Sequence, residues 1–297
     1  MEAPKHVILV DIDNTLYDWP KFFAPSFRAM CHALRRVLNV PLDELIRDFK
    51  SVYAQHDTLE YAFSIQELSV VKDMDRAEVA ELIRIGRGAF SKVKRYHLEP
   101  YPGVIQGLEY LRKHGHVAIS VTNSPLYLAQ KRLYELGLDK YISGIVAWEG
   151  IDPPDEVDTN FVKRTKRKRT RIDRIETFKK PDAKPSTKPY QIALSMLKNE
   201  EIGEIWAIGD SLNKDLFPAS TLGIRTIWAK YGAEFDPDSR DNQTLLKITN
   251  WSDAEVAHTY DANSFKPDYR VESFSEICQL FPQRNLTLLD LMENSDE

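Results

Sequence analysis

Asp11 and Asp13 flank a single residue, Ile12, directly after the apolar run Val7–Val10. Asp210 follows a second apolar run, Ile205–Ile208, with Asp215 five residues further on. Carboxylates gathered in one place repel one another and need a cation to neutralise them. An all-oxygen donor set suits Mg²⁺, which keeps several waters and shares the phosphate oxygens of a substrate. No histidine or cysteine stands beside these aspartates to favour zinc. A third apolar run, Val117–Val121, ends in Thr122-Asn123-Ser124-Pro125. There Ser124 is expected to cap a new helix with Pro125 in its first turn. The free N–H groups and dipole of such a helix start suit a phosphate. A lysine from the 180–188 segment would add fixed positive charge; Lys180, Lys184 and Lys188 each precede a proline. These parts suit phosphoryl transfer, which needs charge neutralisation and an acid for the leaving alkoxide. A carboxylate nucleophile would divide the reaction through an aspartyl-phosphate.

The elements that must position these groups can be read from periodicity. Lys5–Val10 is apolar without alternation, as in a strand buried on both faces. Residues 20–98 carry helical stripes: Phe23, Phe27, Met30, Leu34 and Val37; Leu42, Leu45, Ile46, Phe49, Val52 and Tyr53; Val79, Leu82, Ile83 and Phe90. No strand is needed there, which predicts an all-helical module with Phe22, Phe23, Phe27, Phe49 and Tyr53 in its core. From Pro100 onward strands alternate with helices. Helices are expected over Val104–His114, from Ser124 to about Gly137, over Pro189–Leu197 and over Asn213–Leu222. Strands are expected at Val117–Val121, Ile145–Trp148, Ile205–Ile208, Arg225–Trp228 and Tyr269–Val271, the last followed by a helix at Phe274–Phe281. Residues 150–188 and 233–266 read as irregular. Such alternation predicts an α/β fold, a Rossmann-like parallel sheet with helices on both faces, plus the inserted all-helical unit. Ligands bind beyond the carboxyl ends of such strands, so Asp11, Thr122 and Asp210 should meet at one edge.

On those residues the chain resembles the haloacid dehalogenase-like hydrolase superfamily. Four family motifs stand in order: Val10–Leu16 (VDIDNTL), Val121–Ser124 (VTNS), Lys184–Tyr190 (KPSTKPY) and Gly209–Asp215 (GDSLNKD). Tyr101–Gly115 (YPGVIQGLEYLRKHG) is also typical of the family. The resemblance implies a phosphatase branch with a helical cap inserted between the first and second motifs. It implies a discontinuous core at 1–17 and 99–285, a cap at 18–98, a basic insertion at 150–183 and a tail at 286–297. Asp11 would be the nucleophile, and Asp13 the general acid and then the base. The main-chain carbonyl of Asp13 would join Asp11 and Asp210 in holding Mg²⁺. Asp215 would support that metal's waters or Lys184. Thr122, Asn123 and Lys184 would hold the phosphoryl group. Lys184 is favoured among the three lysines because Tyr190 then falls at the family's aromatic position. Two positions depart from the family pattern, Thr187 in place of a proline and Lys214 in place of an asparagine. The implied substrate is a small phosphate monoester of the nucleotide or sugar-phosphate class.

Charge and composition set the remaining bounds. The chain has 297 residues and a formal net charge of −5. Residues 163–174 (KRTKRKRTRIDR) carry eight basic residues and one acid, which leaves the rest of the chain at −12. Three roles are open for that run: a solvated insertion, a device that steers anionic substrate inward, or a nucleic-acid contact. The last would make the protein a phosphatase of nucleic-acid ends. It is not favoured, because no aromatic residue interleaves the basic ones. A catalytically weak protein that docks a partner through the run is the alternative from another class. Two cysteines, Cys31 and Cys278, exclude a disulfide framework, and with no apolar leader or span of membrane length a cytoplasmic location is expected.

Overall fold

The computed structural model describes residues 5–151, 170–197, 202–250, 265–281 and 283. Its centre is β1 (Val7–Val10), whose four residues are all buried. Six further strands join it: β2 (Val117–Pro125), β3 (Gly144–Trp148), β4 (Arg174–Phe178), β5 (Ile205–Gly209), β6 (Arg225–Ala229) and β7 (Tyr269–Val271). Their order is β4-β3-β2-β1-β5-β6-β7, and every pairing is parallel. Val10 lies opposite Ser120 of β2 and Ile208 of β5. That register sets Asp11, Thr122 and Asp210 at one edge of the sheet.

Burial on both faces explains why β1 has no polar alternation. Ile8 and Val10 pack in a cluster with Leu108 and Leu111 of α4 (Val104–Lys113) and Leu133 of α5 (Leu126–Glu135). Val7 and Leu9 pack on the other side with Tyr190 and Ala193 of α6 (Lys188–Ser195) and Ala219 of α7 (Phe217–Ser220). Two further helices are α8 (Arg240–Ile248) and α9 (Ile277–Leu280).

Between β1 and β2 lie α1 (Trp19–Leu38), α2 (Leu42–His56) and α3 (Arg76–His97), with two short 3₁₀ turns between α2 and α3 and no strand among these residues. Asp18 caps α1 by accepting from the Lys21 N–H at 2.9 Å. Asp75 and Glu78 form a reciprocal capping box on α3. Aromatic rings fill the centre, with Trp19 stacked on Phe23 at 4.5 Å and Phe27 edge-on to Phe49 at 5.2 Å.

The structure corrects the sequence reading in four places. Residues 150–188 are not all irregular: Arg174–Phe178 forms β4. Four of its five residues are exposed, so an edge strand carrying charge lacks the apolar signature of its neighbours. Residues 233–266 include α8, started by Ser239 accepting from the Asn242 N–H at 3.1 Å. Ser124 does not cap α5; β2 runs on to Pro125 and the helix begins at Leu126 without a side-chain cap. The segment after Asp210 opens as a π-helical turn, Leu212–Leu216, before α7. Residues 163–169 of the basic run and the tail 286–297 lie outside the described residues.

One close approach fastens the sheet edge. A Cβ placed on Gly232 would lie on the Asn14 carbonyl oxygen, inside the first motif. Because the obstacle is backbone, the loop cannot yield cheaply. Gly232→Ala is therefore expected to destabilise the fold by about 1–3 kcal/mol. A urea-unfolding midpoint equal to wild type would show that the two loops are not in contact.

Candidate active site

Asp11, Asp210 and Asp215 converge beyond the ends of β1 and β5. One carboxylate oxygen from each lies within 4.8 Å of the others, and all three residues are buried. Gly209 permits this, since a Cβ there would meet the Asp215 side chain at 2.5 Å. The Asp215 carboxylate accepts from the Ser211 N–H at 3.0 Å, and its other oxygen lies 2.5 Å from Lys184 Nζ. Lys184 Nζ also donates to Asp11 at 2.5 Å and to the Val121 carbonyl at 2.9 Å. Of the three candidate lysines, Lys184 is the one brought to the aspartates. Lys180 instead binds the main-chain carbonyls of His56 and Asp57, and Lys188 opens α6 at the surface.

Asn123 explains how Lys184 is aimed. Its side-chain amide donates to the Lys184 carbonyl and accepts from the Lys184 N–H, both at 2.9 Å. The second-motif asparagine therefore clamps the backbone of the third motif. Thr122 is buried beside it and accepts from the Ser124 N–H at 3.1 Å. On the other side, the Asp210 N–H donates to Thr15 Oγ1 at 3.1 Å and its carbonyl accepts from Trp228 Nε1 at 2.8 Å.

The electrostatics follow from burial. Desolvation pushes the Asp11 carboxyl up to about 8, with Asp215 and Asp13 adding to the rise and Lys184 opposing it. Desolvation also carries Asp210 well above the ordinary carboxylate range, helped by Asp215 and Asp11. Burial opposes the charge of Lys184, but Asp11 and Asp215 outweigh it and hold the ammonium protonated. Three carboxylates facing one ammonium leave a surplus of two negative charges when all are ionised. An all-oxygen, buried set with that surplus fits a divalent cation such as Mg²⁺.

Asp13, only two residues from Asp11, faces a different cluster. Its carboxylate accepts from the Tyr17 hydroxyl, from Ser124 Oγ at 2.5 Å and from Arg132 Nη1 at 3.2 Å. Arg132 pairs in turn with Glu60, which also accepts from Trp19 Nε1 at 2.8 Å. Tyr17, Glu60, Ser124 and Arg132 were not read from the sequence as site residues. Ser124 resembles a helix cap, and a single arginine on α5 has no motif to mark it. Glu60 and Arg132 also border a cavity of about 960 Å³, its open mouth included, with Phe23, Tyr53, Phe90 and Tyr127 among its walls.

Protons and a cation compete for the same oxygens. Asp11, pushed up to about 8, holds a proton in the metal-free protein below that pH, and Asp210 is raised in the same direction by burial. Mg²⁺ affinity is thus expected to rise as pH increases from about 6 to 8, with protons released on binding. Calorimetry in buffers of different ionisation enthalpy measures both effects. Affinity independent of pH across that window would contradict the assignment.

A haloacid dehalogenase-like hydrolase family model matches residues 5–223, and a HAD-hydrolase-like model matches residues 182–277. The glyceraldehyde 3-phosphate phosphatase of Pyrococcus furiosus is 23% identical over 84% of this chain and 96% of its own length. The phosphoglycolate phosphatase of Nitrosococcus oceani is 24% identical over 82% and 95%. Among solved structures, a HAD phosphatase from Thermococcus onnurineus has a TM-score of 0.52 at 18% identity, covering 95% of this chain and all of that one. A 2-haloacid dehalogenase from Pseudomonas syringae has a TM-score of 0.53 at 18% identity, covering 94% and 98%. At such identities the structural likeness speaks for the fold. The chain belongs to the haloacid dehalogenase-like hydrolase family.

Proposed function

We propose that this haloacid dehalogenase-like hydrolase is a Mg²⁺-dependent phosphatase of small phosphate monoesters, working through an aspartyl-phosphate on Asp11. The observation that carries the reading is the buried contact of Lys184 with both Asp11 and Asp215, set beside an asparagine clamp and a second carboxylate two residues from the first. The curated relatives described above are both named as phosphatases of short phosphorylated carbon compounds, which supports a small substrate and places such compounds beside nucleotides and sugar phosphates as candidates. Neither is named for a nucleic acid. Among the described residues, no helix is long and apolar enough to cross a membrane. Two free cysteines suit a reducing cytoplasm.

In this mechanism Asp11 attacks phosphorus while Lys184 balances the charge gathering on the transferred group. Asp13 donates a proton to the departing alkoxide, then accepts one from the water that hydrolyses the aspartyl-phosphate. Thr122 and the Asn123 N–H hold phosphoryl oxygens. Asp11, Asp210 and the Asp13 carbonyl would hold Mg²⁺, with Asp215 supporting Lys184; the ion would supply charge neutralisation for the phosphoryl group. The helical segment 18–98 acts as a cap that excludes water, and the cavity bordered by Glu60 and Arg132 receives the alcohol portion of the substrate. The basic run 163–174 lies in an insertion between the second and third motifs, where it steers anionic substrate inward.

The test is turnover of a panel that includes phosphoglycolate, glyceraldehyde 3-phosphate, nucleoside monophosphates and hexose phosphates. Activity should require Mg²⁺ and vanish with chelator. Asp11→Ala should lower kcat by at least ~10³-fold; turnover that survives this change would overturn the nucleophile assignment. Neutralising Arg167, Lys168 and Arg169 should lower kcat/KM at low salt and leave it unchanged at high salt. An unchanged rate at low salt would remove the run from the substrate path.

A further inference from the structure

The side chains that hold Asp13, and the carboxylate that shares them, come from two parts of the chain. Arg132 and Ser124 come from the core, on α5 and β2. Glu60 comes from the helical segment, just after α2. Arg132 Nη1 reaches both Asp13 Oδ1, at 3.2 Å, and Ser124 Oγ, at 3.1 Å, while Nη2 pairs with Glu60 Oε1. Glu60 Oε2 lies 3.1 Å from the same Ser124 hydroxyl that donates to Asp13. The side chains of Arg132 and Glu60 are 7% and 9% exposed, so water does not screen their pairing. The Arg132 guanidinium also lies over the Phe22 ring of α1 at 5.3 Å, a second contact with the helical segment. One buried guanidinium is thus divided between two carboxylates, and one hydroxyl stands between the same two.

We propose that Glu60 is a positioning residue for the leaving-group step: by sharing Arg132 and Ser124 with Asp13, it sets where the Asp13 carboxyl points and couples that orientation to packing of the helical segment on the core. A buried ion pair contributes little net stability, so its presence at this junction is better accounted for by orientation. Without Glu60, Arg132 turns its whole charge to Asp13 and draws the carboxyl toward α5. Proton donation to the alkoxide then suffers, while attack by Asp11 does not. The inference rests on the acid role of Asp13 given above.

The experiment compares two substrates of nearly equal shape with Mg²⁺ present. p-Nitrophenyl phosphate releases a phenolate that needs no proton, whereas phenyl phosphate releases one that does. The ratio of their kcat/KM values covers only the steps through departure of the leaving group and is unaffected by the fraction of enzyme that is folded. Asp13→Asn should lower the phenyl phosphate rate selectively, by ~10²-fold or more relative to p-nitrophenyl phosphate. Glu60→Gln keeps the shape and one acceptor, and should lower the same ratio by about tenfold, part of that general-acid contribution. Equal losses on both substrates in Glu60→Gln, beside a selective loss in Asp13→Asn, would overturn the positioning role alone. Equal losses in Asp13→Asn would overturn the acid role of Asp13 and the coupling with it.

Discussion

The structure depends on an ammonium group held out of water between carboxylates. Lys184 Nζ sits 2.5 Å from both Asp11 and Asp215 at a place where the lysine side chain is 2% exposed. Charges in such surroundings cost a great deal unless they are paired and hydrogen-bonded. That demand explains much of the architecture. β1 occupies the middle of the sheet, so Asp11 leaves it with β2 and β5 on either side. β2 supplies the Val121 carbonyl and the Asn123 clamp, and β5 ends at Gly209, whose missing side chain admits Asp215. Asp11 and Asp215 hold Lys184 as a cation against the cost of burial, and the same burial lifts Asp11 and Asp210 and leaves the pocket short of positive charge.

Two aspartates separated by one residue receive unlike surroundings. Along an extended chain, neighbouring alternate residues would share a face, but Asn14 adopts a left-handed φ of 59° and the chain turns immediately beyond them. Asp11 faces Lys184, while Asp13 faces Tyr17, Ser124 and Arg132. One carboxylate is matched against an ammonium and two further carboxylates that could hold a cation, the other against hydroxyls and a guanidinium. Chemistry that asks one carboxylate to attack and the other to carry a proton requires such a division. Separating the two environments over so short a stretch of chain takes both the turn at Asn14 and the side chains that arrive from β2 and α5.

What the sequence disclosed follows from the kinds of signal each element carries. The strands β1, β2, β3, β5 and β6 are legible because a short apolar run that stops at a polar end suits a buried strand better than a helix or a loop. Their convergence is legible because parallel topology puts those ends at one edge. Three lysines precede prolines, and only the spacing to Tyr190 favours Lys184 in the sequence; the clamp from Asn123 that aims it is a contact across 61 positions that no local pattern encodes. β4 was illegible for the opposite reason: at the sheet edge its outward residues are Arg174, Ile175, Glu176 and Thr177, and no apolar alternation is required of it. α8 was obscured by a polar surface, with Leu245 and Ile248 its buried apolar contacts.

The residues around Asp13 define the limit of local reasoning most sharply. Glu60 lies in a segment that sequence pattern assigns to helical packing, and its partner Arg132 stands 72 positions away on a core helix. A buried arginine between two carboxylates has no periodicity and no motif, because what it satisfies is a charge balance among distant segments. Helix stripes in residues 20–98 report how that segment packs on itself; they say nothing of the Glu60 carboxylate that meets Arg132. A helical segment that folded equally well but carried a neutral residue at position 60 would leave the same stripes and the same four motifs. It would leave Arg132 to Asp13 alone. The proposed coupling between the helical segment and Asp13 therefore resides in a single side chain at the junction.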